Sequence, residues 1–131
     1  PPALGILTVN AFSAADGIII PINADIFSLQ GIAQLSETIK RIKAYCNPTL
    51  KIIGIVLNKY NGRALLSKEV LGAAQMLAEE LDTIVFKNTI KMCVAIMEAQ
   101  THQKTIFQYS PKNATINDYR QLVSELLENG L

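Results

Sequence analysis

What the sequence withholds narrows it first. Cysteine and histidine are scarce: Cys46 and Cys93 stand alone, no CxxC occurs, and His102 is the single histidine. Neither a zinc site nor a disulfide framework is therefore indicated, and the two thiols are expected to be buried and reduced. No apolar run approaches the roughly 18 residues that a bilayer-spanning helix needs. No basic, apolar, then small-residue signal opens the chain either, so a cytoplasmic protein with no membrane partner is expected. Charge of one sign is missing too, because 12 Lys and Arg against 11 Asp and Glu leave a net charge of +1. Overall balance announces neither nucleic acid nor membrane, and any basic patch has to be local. The sequence has no GxGxxG after a strand and no GxxxxGK[ST], so on its own it holds no phosphate cradle. There is no internal repeat, low-complexity tract or linker, which reads as one domain over residues 1–131. An opening Pro1-Pro2 without an initiator methionine suggests a piece of something longer.

What is present is a core. The chain has 131 residues, half of them hydrophobic, enough to fold around one interior. The stretch from Lys51 to Arg63, KIIGIVLNKYNGR, organises the rest. Ile52, Ile53, Ile55, Val56 and Leu57 do not alternate with polar residues, so both faces of this strand have to be covered, as in a parallel sheet with helices on each side. Asn58, Lys59, Tyr60, Asn61 and Arg63 then crowd the place where open α/β sheets bind ligands, outside the carboxyl ends of the strands.

Before that strand, the spacing predicts a buried helix from Ala3 to Ala15 closed at Asp16-Gly17, and a strand over Ile18 to Ile22 whose Pro21 belongs at an end or an edge. Ser28 is expected to cap a helix carrying Leu29, Ile32, Leu35, Ile39 and Ile42, stopped by Asn47-Pro48. After it, Asn61-Gly62 is a tight turn. Ser67 is expected to cap a second amphipathic helix with Val70, Leu71, Ala74, Leu77 and Leu81, followed by a strand from Thr83 to Phe86. Helix alternating with strand is the unit of a parallel sheet with right-handed crossovers. From Lys87 to Lys112 the pattern weakens. Val94 to Ala99 reads as two helical turns and the remainder as an ordered loop holding His102, Lys104 and Tyr109. A last helix spans Ala114 to Glu128, with Ile116, Tyr119, Leu122, Val123, Leu126 and Leu127 on one face, and ends at Asn129-Gly130.

The chemistry-bearing residues are few. Asn58 offers an amide donor and acceptor suited to the edge of a ligand ring, and is equally a turn-forming asparagine. His102 has no serine or cysteine that the sequence places beside it, so no nucleophilic triad can be argued and a structural loop histidine is expected. Asp25 and Glu98 are read as one helix cap and one solvated carboxylate, not as a metal pair.

Against this background the order of residues resembles a family. Pro1-Pro2-Ala3-Leu4-Gly5, Leu7-Thr8-Val9-Asn10-Ala11, Ala14-Ala15-Asp16 and Ile19-Ile20-Pro21 are similar to the segment after the second acidic ATPase motif of ParA-type partition ATPases, the group of Soj and the MinD-like proteins. The likeness continues through Leu29-Gln30-Gly31, Glu37-Thr38-Ile39, Asn47-Pro48, Gly54-Ile55-Val56-Leu57-Asn58, Tyr60, Gly62-Arg63, Glu98-Ala99, His102, Lys104, Tyr109, Pro111-Lys112 and Tyr119, and so spans the whole chain.

The resemblance implies a P-loop-type α/β fold: a partial doubly wound, mostly parallel sheet flanked by helices, lacking the phosphate-loop strand. It implies the C-terminal half of an ATPase for plasmid or chromosome partitioning, in which ATP and Mg2+ drive dimerisation and non-specific DNA binding on the nucleoid. A ParB-like partner protein would stimulate hydrolysis. The lysine-bearing phosphate loop and the magnesium-supporting acid would lie ahead of Pro1, so this stretch alone is expected to bind no cofactor and to be catalytically inactive. Carried over, Pro1 and Pro2 begin the switch segment, Asn58 faces the nucleotide base, and Met92 stands in the base-contacting stretch, where the family usually has proline, arginine and asparagine in place of Lys91, Met92 and Cys93. Ala95 and Ala114 occupy places where basic residues are common. Weak DNA contact is therefore expected, from Lys104, Lys112, Lys91 and Arg120 together with Lys87. Self-association of the chain is also expected. The alternative is a non-catalytic relative acting as a dimerisation or partner-binding module.

Overall fold

The computed structural model describes residues 5–129. Pro1 and Pro2, and the Gly130 expected to close the last helix, lie outside them. In chain order the elements are α1 (Ile6–Ala14), β1 (Gly17–Asn23), α2 (Ile26–Tyr45), β2 (Lys51–Tyr60), α3 (Leu65–Glu80), β3 (Ile90–Lys91), α4 (Val94–Thr101), α5 (Ile106–Tyr109) and α6 (Thr115–Glu128). The three strands form one sheet in the order β1-β2-β3, with both pairings parallel.

As its sequence requires, β2 is central and covered on both faces. On one side Ile55 and Leu57 join Ile20 and Ile22 of β1, Ile39 of α2 and Val70, Ala74 and Leu77 of α3 in the main core. On the other, Val56 meets Phe86 and Ile90 beneath Tyr119, Leu122 and Leu126 of α6. Pro21 lies in β1, an outer strand of the described sheet, where its missing N–H breaks no ladder.

The second face depends on one close approach. The ring of Phe86 lies so near the backbone of Gly54 that a Cβ there would collide with Cζ and Cε2. Next to it the register steps from Ile18↔Ile52 to Ile19↔Gly54, which leaves Ile53 as the extra residue of a bulge.

Several local expectations are corrected. The cap of α2 is Asp25, whose carboxylate accepts from the Ser28 N–H at 2.8 Å; Ser28 is thus the residue being capped. Ser67 does not cap α3 either. It is buried inside the helix, with its hydroxyl accepting from the Asn61 N–H at 3.2 Å, while the N-cap position holds Ala64 without a side-chain bond. Helix α1 has no buried residue, and Ile6 and Leu7 are exposed. It is held near its C-terminal end, where Phe12 packs on the core and Asn47 Nδ2 donates to the Phe12 and Ala15 carbonyls at 3.1 and 2.8 Å. On α6, Val123 and Leu127 face outward. Cys46 is exposed and Cys93 half-buried, both as free thiols.

The expected strand from Thr83 to Phe86 is a single bridge, Ile55↔Val85. Ile55 gives its N–H to Ile84 and its carbonyl to Phe86, each at 2.8 Å. The line is then interrupted because Glu125 of α6 draws the next amides away. Its carboxylate oxygens accept from Lys87 N at 2.8 Å and Asn88 N at 2.9 Å. The chain rejoins the sheet as β3, within a stretch expected to be loop, and α5 also lies there.

Helices α3 and α4 end alike. Beyond α3, Thr83 N bonds to Ala78 O and Asp82 N to Glu79 O; beyond α4, Lys104 N bonds to Ala99 O and Gln103 N to Gln100 O. These are Schellman closures, and the residues taking the left-handed turn are Asp82 and Gln103, each with φ 53°, where glycine is usual. Asp82→Gly and Gln103→Gly should each stabilise the chain by about 0.5 to 1 kcal/mol, the relief of left-handed strain less the entropy glycine adds to the unfolded chain. Gly54→Ala should cost about 1 to 3 kcal/mol by displacing Phe86, and adding Phe86→Leu should recover part of the loss. Urea denaturation of the four variants measures all three effects.

Candidate functional site

The carboxyl ends of the three parallel strands bring Asn23, Asn58 and Lys91 to one end of the sheet. Asn58 is paired in register with Asn23 on one side and Ile90 on the other. Its Nδ2 donates to Asn23 Oδ1 at 3.0 Å, and its backbone carbonyl accepts from the Ala24 N–H at 3.0 Å. Asn58 is therefore no turn residue. Its amide is oriented across the strand ends, with one hydrogen bond to its neighbour.

Lys59 follows with φ 53°, an uncommon conformation for a residue with a long side chain. Here the register steps from Asn58↔Ile90 to Tyr60↔Lys91, and Lys59 is the residue without a partner. Backbone strain of this kind gathers at ligand sites. The turn beyond it is the one expected: Asn61 Oδ1 accepts from Arg63 N at 3.1 Å and its carbonyl from Ala64 N at 2.9 Å.

Between this turn and the β3–α4 connection opens a cavity of about 590 Å3, lined by Tyr60, Asn61, Gly62, Arg63, Thr89, Lys91 and Met92. Met92 and Lys91 thus meet the loop after β2, whereas Asn58 is not among the lining residues. An aromatic ring, a thioether, an amide and two cations suit a flat polar ring carrying an anionic tail. The same residues do not suit a triphosphate with its metal. Among the described residues no group of three His, Cys, Asp or Glu side chains is placed to hold a metal ion.

Lys91 is already engaged. Its Nζ lies 3.3 Å from Asp118 Oδ1 and its backbone N–H donates to Asp118 Oδ2 at 3.2 Å, with Asp118 buried at the start of α6. Lys104, Lys112 and Arg120 are exposed and make no salt bridge among the described residues. Arg120 and Lys87 border a separate cavity of about 820 Å3, beside the interrupted strand, which also includes Asn88 and Glu125.

Other readings are settled locally. His102 stacks on Tyr109 with ring centroids 5.3 Å apart, and the Tyr109 hydroxyl donates to Glu98 Oε2 at 3.3 Å. Glu98 is thus not simply solvated, and the three residues tie α4 to α5. Burial pushes the Tyr109 phenol up, and the Glu98 carboxylate adds to this. Cys93 sits at the N-cap of α4. Hydrogen bonding with Thr115 holds its thiol below the ordinary range, helped by the Ala95 and Ile96 amides and Asn113 and opposed by burial. Sequence reasoning missed Asn23, Asp118 and Glu125. Only strand register or helix packing reveals their partners.

A family model described as an AAA domain matches residues 1–52. The chromosome-partitioning ATPase Soj of Thermus thermophilus is 37% identical over 97% of this chain and 50% of its own length. The sporulation initiation inhibitor protein Soj of Bacillus subtilis is 32% identical over 99% of this chain and likewise 50% of its own. The chain spans about half the length of these curated relatives. Among solved structures, a cobyrinic acid a,c-diamide synthase from Mycobacterium smegmatis with bound ADP and magnesium superposes with TM-score 0.57 at 25% identity, covering 80% of this chain and 46% of that one.

The Glu125 bridge should make stability pH-dependent. Burial pushes its carboxyl up, but the hydrogen bonds from Lys87 and Asn88 together outweigh burial and hold it below the usual range. A depressed folded value contributes stability above the unfolded pKa of about 4.3 and loses it as pH falls through the folded value. Glu125→Gln should therefore be less stable than wild type at pH 7, with the gap narrowing toward pH 3. Denaturant midpoints across that range would measure it, and a constant gap would contradict it.

Proposed function

Because this chain is a homologue, across nearly its whole length, of the Soj and ParA chromosome-partitioning ATPases, we propose that it is the C-terminal part of the nucleotide-hydrolase domain of a partition ATPase. Its place of action is the cytoplasm, on the nucleoid, in plasmid or chromosome segregation. The observation that carries this reading is 37% identity sustained over 97% of the chain. No helix among the described residues is long and apolar enough to cross a membrane, which accords with it.

In this reading the strand ends serve the base end of ATP. Tyr60, Arg63 and Met92 enclose the ring, Asn58 orients toward it, and Pro1 and Pro2 begin the segment that answers the phosphates. Bound ATP with Mg2+ supplies the phosphoryl group for transfer and the charge neutralisation it requires. The residues in hand bind and orient, and none of them is a candidate base or nucleophile. Homodimerisation and stimulation by a ParB-like partner belong to the whole protein. Lys104, Lys112 and Arg120 carry non-specific phosphate contacts to DNA, and Lys91 contributes less because Asp118 already neutralises it. The alternative reading is a non-catalytic dimerisation or partner-binding module.

The coding sequence ahead of Pro1 separates the two. An in-frame glycine-rich loop with its lysines supports the ATPase, and a start codon immediately upstream supports the module. In a phosphate-release assay the chain alone should show no magnesium-dependent ATP hydrolysis; turnover that follows the protein peak through repurification would refute that. Titrating a random-sequence duplex at several salt concentrations should give weak binding. Lys104→Ala and Lys112→Ala should each lower the salt slope by about 0.9. An unchanged slope in both would remove these residues from the DNA surface.

A further inference from the structure

The turn after β2 sets an asparagine directly before a glycine, at Asn61-Gly62, and both residues are exposed. Nothing in the fold asks for that glycine. Its φ lies outside the left-handed region, and a Cβ there would meet only Cε1 of Tyr60, at an ordinary contact distance of 3.5 Å. Its N–H donates no hydrogen bond among the described residues. What the missing side chain leaves bare is the Gly62 amide nitrogen itself, next to the side chain of Asn61.

That side chain is held in a matching state. Asn61 Oδ1 accepts from the Arg63 N–H at 3.1 Å, while Nδ2 donates no hydrogen bond among the described residues. A donor on Oδ1 polarises the carboxamide carbon and stabilises negative charge that develops on the oxygen when the carbon is attacked. The amino group is free to depart. Helix α3 starts just beyond, at Leu65, with no side-chain cap at Ala64 and no acidic residue in its first turn, so its positive end is uncompensated. Arg63 adds a cation on the same side of the cavity. This setting favours both a deprotonated Gly62 amide and a new carboxylate at position 61.

We infer that Asn61 is a site of spontaneous self-modification, deamidation through a five-membered succinimide ring. The Gly62 nitrogen gives its proton to hydroxide and bonds to Asn61 Cγ; the Cγ–Nδ2 bond then breaks, and Nδ2 takes a proton from water and leaves as ammonia. A second water opens the ring at one carbonyl or the other. One opening gives aspartate, and the other gives isoaspartate, in which the main chain runs through Cβ and is one carbon longer. Either product places a carboxylate on a cavity wall that otherwise bears Arg63 and Lys91. Isoaspartate also displaces the oxygens that now accept from Arg63 and Ala64. The cavity therefore loses cationic character as the chain ages. The inference rests on the chemistry of this turn, and not on nucleotide, DNA or partner binding.

The test keeps the purified chain in warm, mildly alkaline buffer and samples it over days by peptide mapping. Asn61 should gain the mass of an amide-to-acid exchange at a rate close to that of a synthetic peptide spanning Lys59 to Leu66. Isoaspartyl methyltransferase should label the product, and the rate should rise with pH. Gly62→Ala should slow the conversion at least tenfold. Asn61→Gln should abolish the label at this position, and takes the place of Gly62→Ala if the latter fails to fold. The pair Asn129-Gly130 is an internal comparison, in which Asn129 Nδ2 already donates to the Glu125 carbonyl at 2.7 Å. Conversion confined to Asn129 would overturn the inference. So would a native Asn61 at least tenfold slower than the peptide, which would mean that the turn protects it, or an unchanged rate in Gly62→Ala. A missing phosphate loop upstream, or flat DNA salt slopes, would count against the ATPase reading and leave these mass measurements standing.

Discussion

The ring of Phe86 seated on the backbone of Gly54 is the contact on which the second layer of the fold depends. Bare backbone at position 54 lets a fully buried aromatic lie against the central strand. From there Phe86 holds Val56 and Ile90 beneath α6. The two hydrogen bonds between Ile55 and the Ile84–Phe86 segment fix the ring's height along the strand. Without this seat α6 would lose the largest buried side chain of the cluster it covers, and the Glu125 and Asp118 carboxylates that it carries would be less firmly placed near the sheet.

Those carboxylates make α6 more than a lid. One interrupts the outer strand and the other receives Lys91 at the point where the strand resumes. The carboxyl end of the sheet is accordingly assembled from both sides: from β1 through the Asn23–Asn58 amide pair, and from α6 through Asp118. The strained backbone at Lys59 lies between these two supports, where a regular strand would have carried Tyr60 straight on past the cavity.

How much of this was legible follows from the range of the interactions. The apolar body of β2, the end of α2 before Asn47-Pro48 and the turn at Asn61 are written in local pattern and stand as read, whereas β2 runs on through Tyr60 and α2 already starts at Ile26. The two serine caps failed because a cap depends on which residue precedes the first helical turn: Asp25 reaches the Ser28 amide, while Ser67 is one turn too late and points back at Asn61. Burial of α1 failed because uniform apolarity fixes no face, and what secures the helix is the distant Asn47 amide. The break in the third strand was unreadable, since Glu125 lies far along the chain from the amides it captures. Near the strand ends, the sequence points to Asn58, Lys91 and Met92 as candidates, but their neighbours Asn23 and Asp118 emerge only from register and packing.

The double hold of Asp118 on Lys91 has a mechanical consequence. Backbone and side chain of one residue are fastened to a single carboxylate at the root of α6, while the same residue forms part of the cavity wall. Any anion that pulls the ammonium group toward the cavity leaves a buried negative charge less well compensated at the helix start. The helix dipole and the remaining amide contact then have to carry that charge alone. An anion drawn to this cavity wall would in this way act on the seating of α6 through one lysine.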